Sequence, residues 1–421
     1  MFRLRYLVYP VNIPVTLTLE PTFPCTVRED IDYAVETIPF SGLRRRGRAP
    51  ILPEVAERFF TRQPLEKKGG TLQLTLTLPQ EDSYAVRLYA GEQQVEALEI
   101  YALEEDLFRL TPYKGDCHLH SWMSDGKDSP LYMAAFACRQ GYDYCAITDH
   151  RRWEPSLMTR DFFQPTGVDF LVIPGEEVHA PDNPVHILSL GARESVNDWW
   201  RDHEDEYRAA VEARLPSIDA DMGAADRYAC ASSQVMFDYI RDKGGLSVLC
   251  HPHWIRRDVL HQTEDITEYL AENRRFDALE LVAGGAYENG LHLQLSYYHD
   301  KATMPIMGNS DAHGVAGDEL ELGNFSLIFA DELSVEGVKD AIRRAHAIGG
   351  CDNKLYGDYR LVKYGYFLLH RFYPEHKAER YRLGREMLRA ASAGKDMTPE
   401  MAEKLLICRP SEMFGEIRYR E

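Results

Sequence analysis

Segment 71–78, TLQLTLTL, alternates apolar and polar residues strictly, the pattern of a half-buried β-strand. Segments 15–19, 84–90 and 95–103 repeat that texture between turns rich in Pro, Gly, Asp or Ser, so residues 1–111 are predicted to form an antiparallel β-sandwich. From Tyr113 the texture changes. Short apolar runs (DYCAITDH, VDFLVIPGEE, NPVHILSLG, LSVLCHPH, FDALELV, MPIMGNSDAH, NFSLIFA) now alternate with helix-length amphipathic segments such as SPLYMAAFACRQG and SSQVMFDYIRDKGG, and a further helix is expected at 334–347. Repeated strand–helix units predict a parallel sheet, and about seven or eight such strands favour closure into a barrel, with its active site at the C-terminal strand ends. The stretch 192–232, which contains NDWWRDHEDEYRAAVEARL, breaks the rhythm and is read as an inserted helical segment over that end. Residues 351–421 are predicted to be a helical extension whose plainest role is packing or dimerisation.

The apolar runs of the 112–350 region end in His or an acid. His118 and His120 lie in GDCHLHSWMSDG, His150 in AITDH, His186 in PVHILSLG, His251 in LCHPHW, and Asp311 and His313 in GNSDAHG. Alternate side chains of a strand share a face, so His118 and His120 point together and Cys117 points away. His251 and His253 repeat the spacing, with Cys250 expected on the opposite face. Imidazole and carboxylate together suit borderline divalent ions at neutral pH. Each signal taken singly has a bland reading: a hydrogen-bonded core histidine for His186, a turn residue for Asp125 in Asp125-Gly126, a cap or supporting residue for Asp149. Adjacent Glu176 and Glu177 cannot both face one site, and the residues alone leave the choice open. The signals gain weight because they converge on one end of one sheet.

Composition narrows the partners. The chain has 421 residues, 44% of them hydrophobic, and a net charge of −19, which disfavours wrapping a long nucleic acid. No run approaches the length of a membrane helix, Pro10 and Pro14 break the early apolar stretch, and eight cysteines without regular spacing suggest reduced thiols and a cytoplasmic setting.

In order and spacing the motifs D-C-H-L-H, S-D-G, T-D-H, P-G-E-E, V-H-I-L, H-P-H and S-D-A-H resemble the PHP (polymerase and histidinol phosphatase) family, over about 113–350. The resemblance implies a distorted seven-stranded, TIM-like β/α barrel binding two to three divalent ions (Zn, Mn or Fe), here preceded by the sandwich and followed by the helical tail. It implies that His118, His120 and Asp311 hold one ion, that His186 and His251 hold a second, and that Glu177 bridges the two, with Glu176 as the fallback. Asp125, His150 and His313 would hold a third; Asp125 stands where some family members have histidine. The implied activity is hydrolysis of a small phosphomonoester, nucleotide or short phosphodiester by a metal-activated water. His253 is a candidate to protonate the leaving group, and Arg151 and Arg256, with neighbours Arg152 and Arg257, are candidates to grip phosphate. Trp153 and Trp254 are candidates to stack on a base or sugar, with packing the expected role. Two other readings stay open: hydrolysis of a carboxylic ester or carbamate by the same kind of site, and a non-catalytic metal-binding module.

Overall fold

The computed structural model describes residues 1–43, 62–256, 259–283, 304–315, 323–351, 354–393 and 410–420, the side chains of Leu43, Thr166 and Arg256 excepted. It divides into two compact units: Met1–Leu110 with Lys363–Phe372 and Ser411–Glu421, and Thr111–Val362 with Tyr373–Pro410. The segment after residue 351 is thus shared between the units.

In the first unit one sheet runs in the order Phe2–Leu4, Pro14–Pro21, Thr71–Thr77, Glu66–Lys68, and a second in the order Val8–Pro10, Gln93–Leu103, Asp82–Ala90, Tyr33–Pro39, Gln63–Pro64. Every pairing is antiparallel except that of Val8–Pro10 with Gln93–Leu103. The period-two pattern sends Val15, Leu17, Leu19 and Leu72 of one sheet and Val35, Val86, Leu88 and Ile100 of the other into a single core. Late segments are tied to the same unit: Tyr419 stacks on Tyr9 with ring centroids 5.3 Å apart, and Lys363 Nζ lies 2.8 Å from the buried Asp82 carboxylate.

The second unit is a mixed α/β fold. Its first sheet runs Leu171–Val172, Tyr144–Ile147, Thr111–Leu119, Phe325–Ala330, Ala347–Cys351, Lys354–Tyr356, and its second Gly175–Val178, Ile187–Leu190, Leu246–Leu249, Ala278–Val282, Ile306–Gly308. The wholly parallel arrangement expected from the sequence is not what forms. Parallel pairs hold Thr111–Leu119 to Tyr144–Ile147 and Ala278–Val282 to both its neighbours, but Phe325–Ala330 and Ile187–Leu190 run antiparallel to theirs. Between Gly175–Val178 and Ile187–Leu190 there is no helix to carry the chain back across the sheet, so the second strand must return beside the first in the opposite direction.

Both faces of these strands are covered, which is why they read as continuous apolar runs. Leu188, Leu190, Leu246 and Val248 join Cys117, Ala146, Met307 and Ile328 in one core cluster. Ile187 and Leu249, pointing the other way, pack under helices Val196–Asp202, Glu204–Arg214, Ala224–Asp242 and Glu264–Glu272 through Val196, Tyr207, Met236, Phe237, Ile266 and Leu270. The 192–232 stretch is therefore helical and part of this layer. Each such buried aliphatic side chain contributes roughly 1.5–3 kcal/mol. Helix Tyr373–Ala393 docks on helix Pro130–Arg139, so closely that a side chain at Gly384 would collide with the Arg139 backbone. At the strand ends single bridges pair Leu119 with Ala312 and His150 with Glu177, drawing the two sheets together where the histidines lie.

Candidate metal centre

Strand Thr111–Leu119 delivers His118 and, one step past its end, His120, both with no exposed surface. Beneath them Asp116 accepts from the backbone N–H of His118 (3.0 Å) and of Ser310 (3.2 Å), which locks this strand end to the loop carrying Asp311. Burial pushes the Asp116 carboxyl up to about 7, against those hydrogen bonds. His118 Nδ1 lies 2.9 Å from Glu280 Oε1, and Glu280 also accepts from His251 N at 3.0 Å and Asn309 Nδ2 at 2.8 Å. With Nδ1–H donated to Glu280, Nε2 of His118 is left to face the site.

Glu177 is the centre of the arrangement. Its carboxylate is fully buried. Oε2 lies 3.4 Å from His118 Nε2, 3.4 Å from His120 Nε2 and 2.6 Å from His150 Nδ1. Oε1 lies 2.8 Å from His186 Nδ1, 3.5 Å from His251 Nε2 and 3.5 Å from His179 Nε2. Asp311 Oδ1 completes the first group at 3.2 Å from His118 Nε2 and 3.0 Å from His120 Nε2. Glu176 turns the other way: it accepts from Ser195 Oγ (2.7 Å), Val196 N (2.6 Å) and Asn197 Nδ2 (2.8 Å), anchoring the start of helix Val196–Asp202.

The third group forms on a loop. Asp149 accepts from Ser121 N (2.7 Å), Ser121 Oγ (2.6 Å) and Ser124 Oγ, and so holds the turn that carries Asp125. Gly126 is required there, because a Cβ would meet the His120 carbonyl oxygen at 2.6 Å. Asp125 Oδ2 lies 3.4 Å from His150 Nε2, and its Oδ1 lies 3.4 Å from His313 Nε2. His313 donates Nδ1–H to the Asp311 carbonyl at 2.8 Å. Asp311 and Arg151 both adopt left-handed backbone conformations, φ 55° and 58°, a strain that gathers at this end of the sheets.

Two histidines and one acid here were missed by the sequence reading. His179 follows Glu177 as E-x-H, the same alternation that marked H-x-H, and its ring lies 3.8 Å from that of His186. His261, from the hairpin Ile255–Arg256/Val259–Leu260, has Nε2 at 3.0 Å from His186 Nε2; no periodicity announces it. Glu280 is a lone acid in the fully buried strand Ala278–Val282, a pattern that asks for a partner. Other expectations fare differently. His253, expected to protonate the leaving group, is buried and is not among the residues lining the two clefts; burial lowers its pKa, with Glu264 opposing. Arg151 and Arg152 do line the cleft; Arg257 and the Arg256 side chain lie outside the described residues. Trp254 lines the cleft and packs edge-on against His251. Cys250 was expected on the far face, yet its Sγ comes within 4.8 Å of His118, His251 and Glu280 atoms, because Glu280 reaches behind both histidines. Burial raises its thiol pKa well above the usual value, and Sγ donates to Val248 O at 3.7 Å.

The charges of the acids and imidazoles are interlocked. Burial works against ionisation of Glu177 and Asp311, but the surrounding imidazoles hold both well below the usual carboxylate range. Burial likewise opposes charge on His118 and His150, yet Glu280, Asp311 and Glu177 raise the first well above its ordinary value, and Glu177 and Asp125 raise the second to about 10. His186 and His261 lie apart from this: burial lowers them to about 3 and about 4. Both Glu177 oxygens, His118 Nε2, His150 Nδ1, His179 Nε2 and His186 Nδ1 are buried and make no hydrogen bond among the described residues, and each such group costs on the order of 1–3 kcal/mol unless something binds it. Tetrahedral donors about 2.05 Å from one ion stand about 3.4 Å from each other. The spacings within His118, His120, Asp311 and Glu177 Oε2, 3.0 to 3.4 Å, match that, so the residues present fit a divalent ion. Compact donor groups also form at His120, Asp125, His150 and His313, at His150, Glu177 and His179, and at Glu177, His186 and His251.

No family model matches the chain. A DNA polymerase/3'-5' exonuclease PolX of Bacillus subtilis is 43% identical over 56 residues, a match spanning 13% of this chain and 10% of that one. Among solved structures, a two-domain protein of Bacteroides vulgatus containing a predicted PHP-like metal-dependent phosphoesterase is similar at 20% identity and a TM-score of 0.45, over 61% of this chain and 70% of that one. A Bifidobacterium adolescentis protein described as a metal-dependent phosphoesterase is similar at 17% identity and a TM-score of 0.35, over 48% of this chain and 91% of that one. An amidohydrolase of Chromobacterium violaceum is similar at 17% identity and a TM-score of 0.34, over 48% and 89%. Among the described residues no helix is long and apolar enough to cross a membrane.

Proposed function

We propose that the protein is a metal-dependent phosphoesterase of PHP type that hydrolyses a small phosphomonoester, a nucleotide or a short phosphodiester. The observation that carries this reading is Glu177, a buried carboxylate whose two oxygens each face three imidazoles. In this reading His118, His120 and Asp311 would hold one ion, His186 and His251 a second, with Glu177 shared between the two, and Asp125, His150 and His313 a third. Zn, Mn and Fe all suit this mixture of imidazole and carboxylate. Bound there, the ions lower the pKa of water toward neutrality and neutralise charge on phosphoryl oxygens. We also take the two sheets, drawn together at the His150–Glu177 bridge, as the distorted barrel of that family.

The chain's own residues supply the rest. The clefts over the centre have volumes of about 560 and 580 Å³, room for a small ester. Arg151, Arg152 and Arg201 line one of them beside Asp125 and His150. Arg151 N donates to the Glu177 carbonyl at 3.0 Å, which fixes its backbone against the centre while its side chain stays exposed. A guanidinium so placed orients a phosphate through paired N–H donors. The N-terminal β-unit is left without chemistry.

The test is metal analysis of the purified protein with hydrolysis assays on p-nitrophenyl phosphate, its bis-ester and a carboxylic ester. Roughly two to three ions per chain with phosphatase activity, abolished by Asp311→Ala, is the expected result. Metal without phosphoester turnover but with carboxylic ester turnover transfers the reading to acyl hydrolysis. No ion retained after Zn or Mn loading ends it.

A further inference from the structure

Three histidines near the centre face different second partners. His118 gives its rear nitrogen to the Glu280 carboxylate, and His313 gives its own to the Asp311 carbonyl. His186 has neither. Its Nε2 meets another imidazole, His261 Nε2, at 3.0 Å, with ring centroids 4.5 Å apart and planes 69° apart. In such a contact one imidazole nitrogen carries the proton and the other accepts it. For His186 to ligate through the nitrogen that faces the site, its other nitrogen, Nε2, must carry the proton, and His261 Nε2, 3.0 Å away, is placed to accept it. That leaves the lone pair of His186 on Nδ1, the atom 2.8 Å from Glu177 Oε1 and without a hydrogen bond.

The placement of His261 is built into the fold. Its backbone N–H donates to Trp254 O at 2.9 Å, closing the hairpin, and Trp254 packs against both His186 and His261, with centroids 6.1 and 4.8 Å away. His186 stands one residue before strand Ile187–Leu190, and Cys250 N donates to its carbonyl at 3.2 Å, so its backbone is fixed and its ring is held with Nε2 toward His261.

We propose that His261 is a positioning residue for the second ion position: by accepting a hydrogen bond from His186 Nε2–H it holds His186 in the tautomer that ligates through Nδ1. This rests on the reading that Glu177, His186 and His251 hold an ion. It also makes the two positions unequal. A carboxylate behind a ligating imidazole strengthens the donor, whereas a neutral imidazole does so far less. The ion at Glu177 Oε1 is therefore the weaker and more exchangeable of the two bridged by Glu177.

The experiment uses the full-length protein, labelled with 15N in its histidines, and long-range 1H–15N correlation spectra of the metal-free and Zn2+-loaded forms. His186, identified by its loss in His186→Ala, should show the Nε2–H tautomer in both forms. His261→Ala should raise the dissociation constant of one Zn2+ roughly 10- to 100-fold and leave the other ions unchanged, and His261→Gln, which can accept from His186, should restore most of the affinity. Thermal melts of the variants establish that they fold. An Nδ1–H tautomer for His186 in the wild type, or unchanged Zn2+ affinities in folded His261→Ala, overturns the proposal. If His186→Ala removes an ion and His261→Ala weakens none, the positioning role alone falls. If neither does, the second ion position falls with it.

Discussion

His118 Nδ1 and Glu280 Oε1 stand 2.9 Å apart, both side chains fully buried, and Glu280 is bound in turn by His251 N and Asn309 Nδ2. One carboxylate thereby orients the ligand of one ion position and the backbone of a ligand in the next. Glu280→Gln keeps the volume but removes the negative charge, and its amide can present N–H to a nitrogen that must itself donate. Metal affinity at the first position is expected to fall roughly 10- to 100-fold, with less change at the third. Titration with a competing chelator measures this, and unchanged affinity would refute the tautomer argument.

Glu176 and Glu177 are neighbours with opposite duties. Glu177→Gln is expected to release ions from both positions it joins and to remove activity. Glu176→Gln should leave the ion count intact and lower the melting temperature instead, because Ser195, Val196 and Asn197 lose a charged acceptor whose hydrogen bonds are worth roughly 1.5–3 kcal/mol each. Metal analysis beside a thermal melt separates the two; a loss of metal in Glu176→Gln would show that the pair had been assigned the wrong way round.

This division was only partly legible in the sequence. Alternation placed His118 with His120, and strand ends gathered His150, His186, His251, Asp311 and His313, because period and termination are local properties of the chain. Which of two adjacent acids faces inward depends on the pairing of Glu177 with Leu188 and on the helix start that captures Glu176, neither of them local. Strand direction was misjudged for the same reason: a strand carries no mark of whether its neighbour runs with it or against it. His179 was legible and overlooked, since E-x-H obeys the same alternation as H-x-H. His261 was not, because its role comes from a hairpin folding over His186.

Cys250 lies near His118, His251 and Glu280 but is expected to be chemically silent. Burial holds its thiol protonated well above neutral pH, and only a thiolate ligates. Cys250→Ala should retain the full ion count and activity, with a stability cost on the order of 1 kcal/mol for the small void. Loss of an ion in this variant, measured after loading with Zn2+, would make the thiol a ligand after all.

Far from the metal centre, helix Tyr373–Ala393 is fastened to the sheet by a buried charge cluster. Asp143 Oδ1 lies 2.8 Å from Arg380 Nη2 and 2.8 Å from His376 Nε2, and all three side chains are essentially unexposed. Burial alone would raise the Asp143 pKa, but His376 and Arg380 outweigh it and hold the carboxylate below its ordinary value of 3.8. A depressed carboxylate contributes stability that is complete above its unfolded pKa, about 3.9, and is lost as pH falls through the lower folded value. Wild-type protein should therefore lose this contribution only below about pH 4. Arg380→Met leaves the Asp143 charge buried without its guanidinium partner, at an expected cost of about 3–5 kcal/mol at pH 7. Adding Asp143→Asn to that variant should recover part of the loss, because the stranded charge is then gone. Denaturant unfolding of the wild type, the single variant and the double variant at pH 7 and pH 4 measures each step, and a single variant as stable as the wild type would show that the cluster does not hold the helix in place.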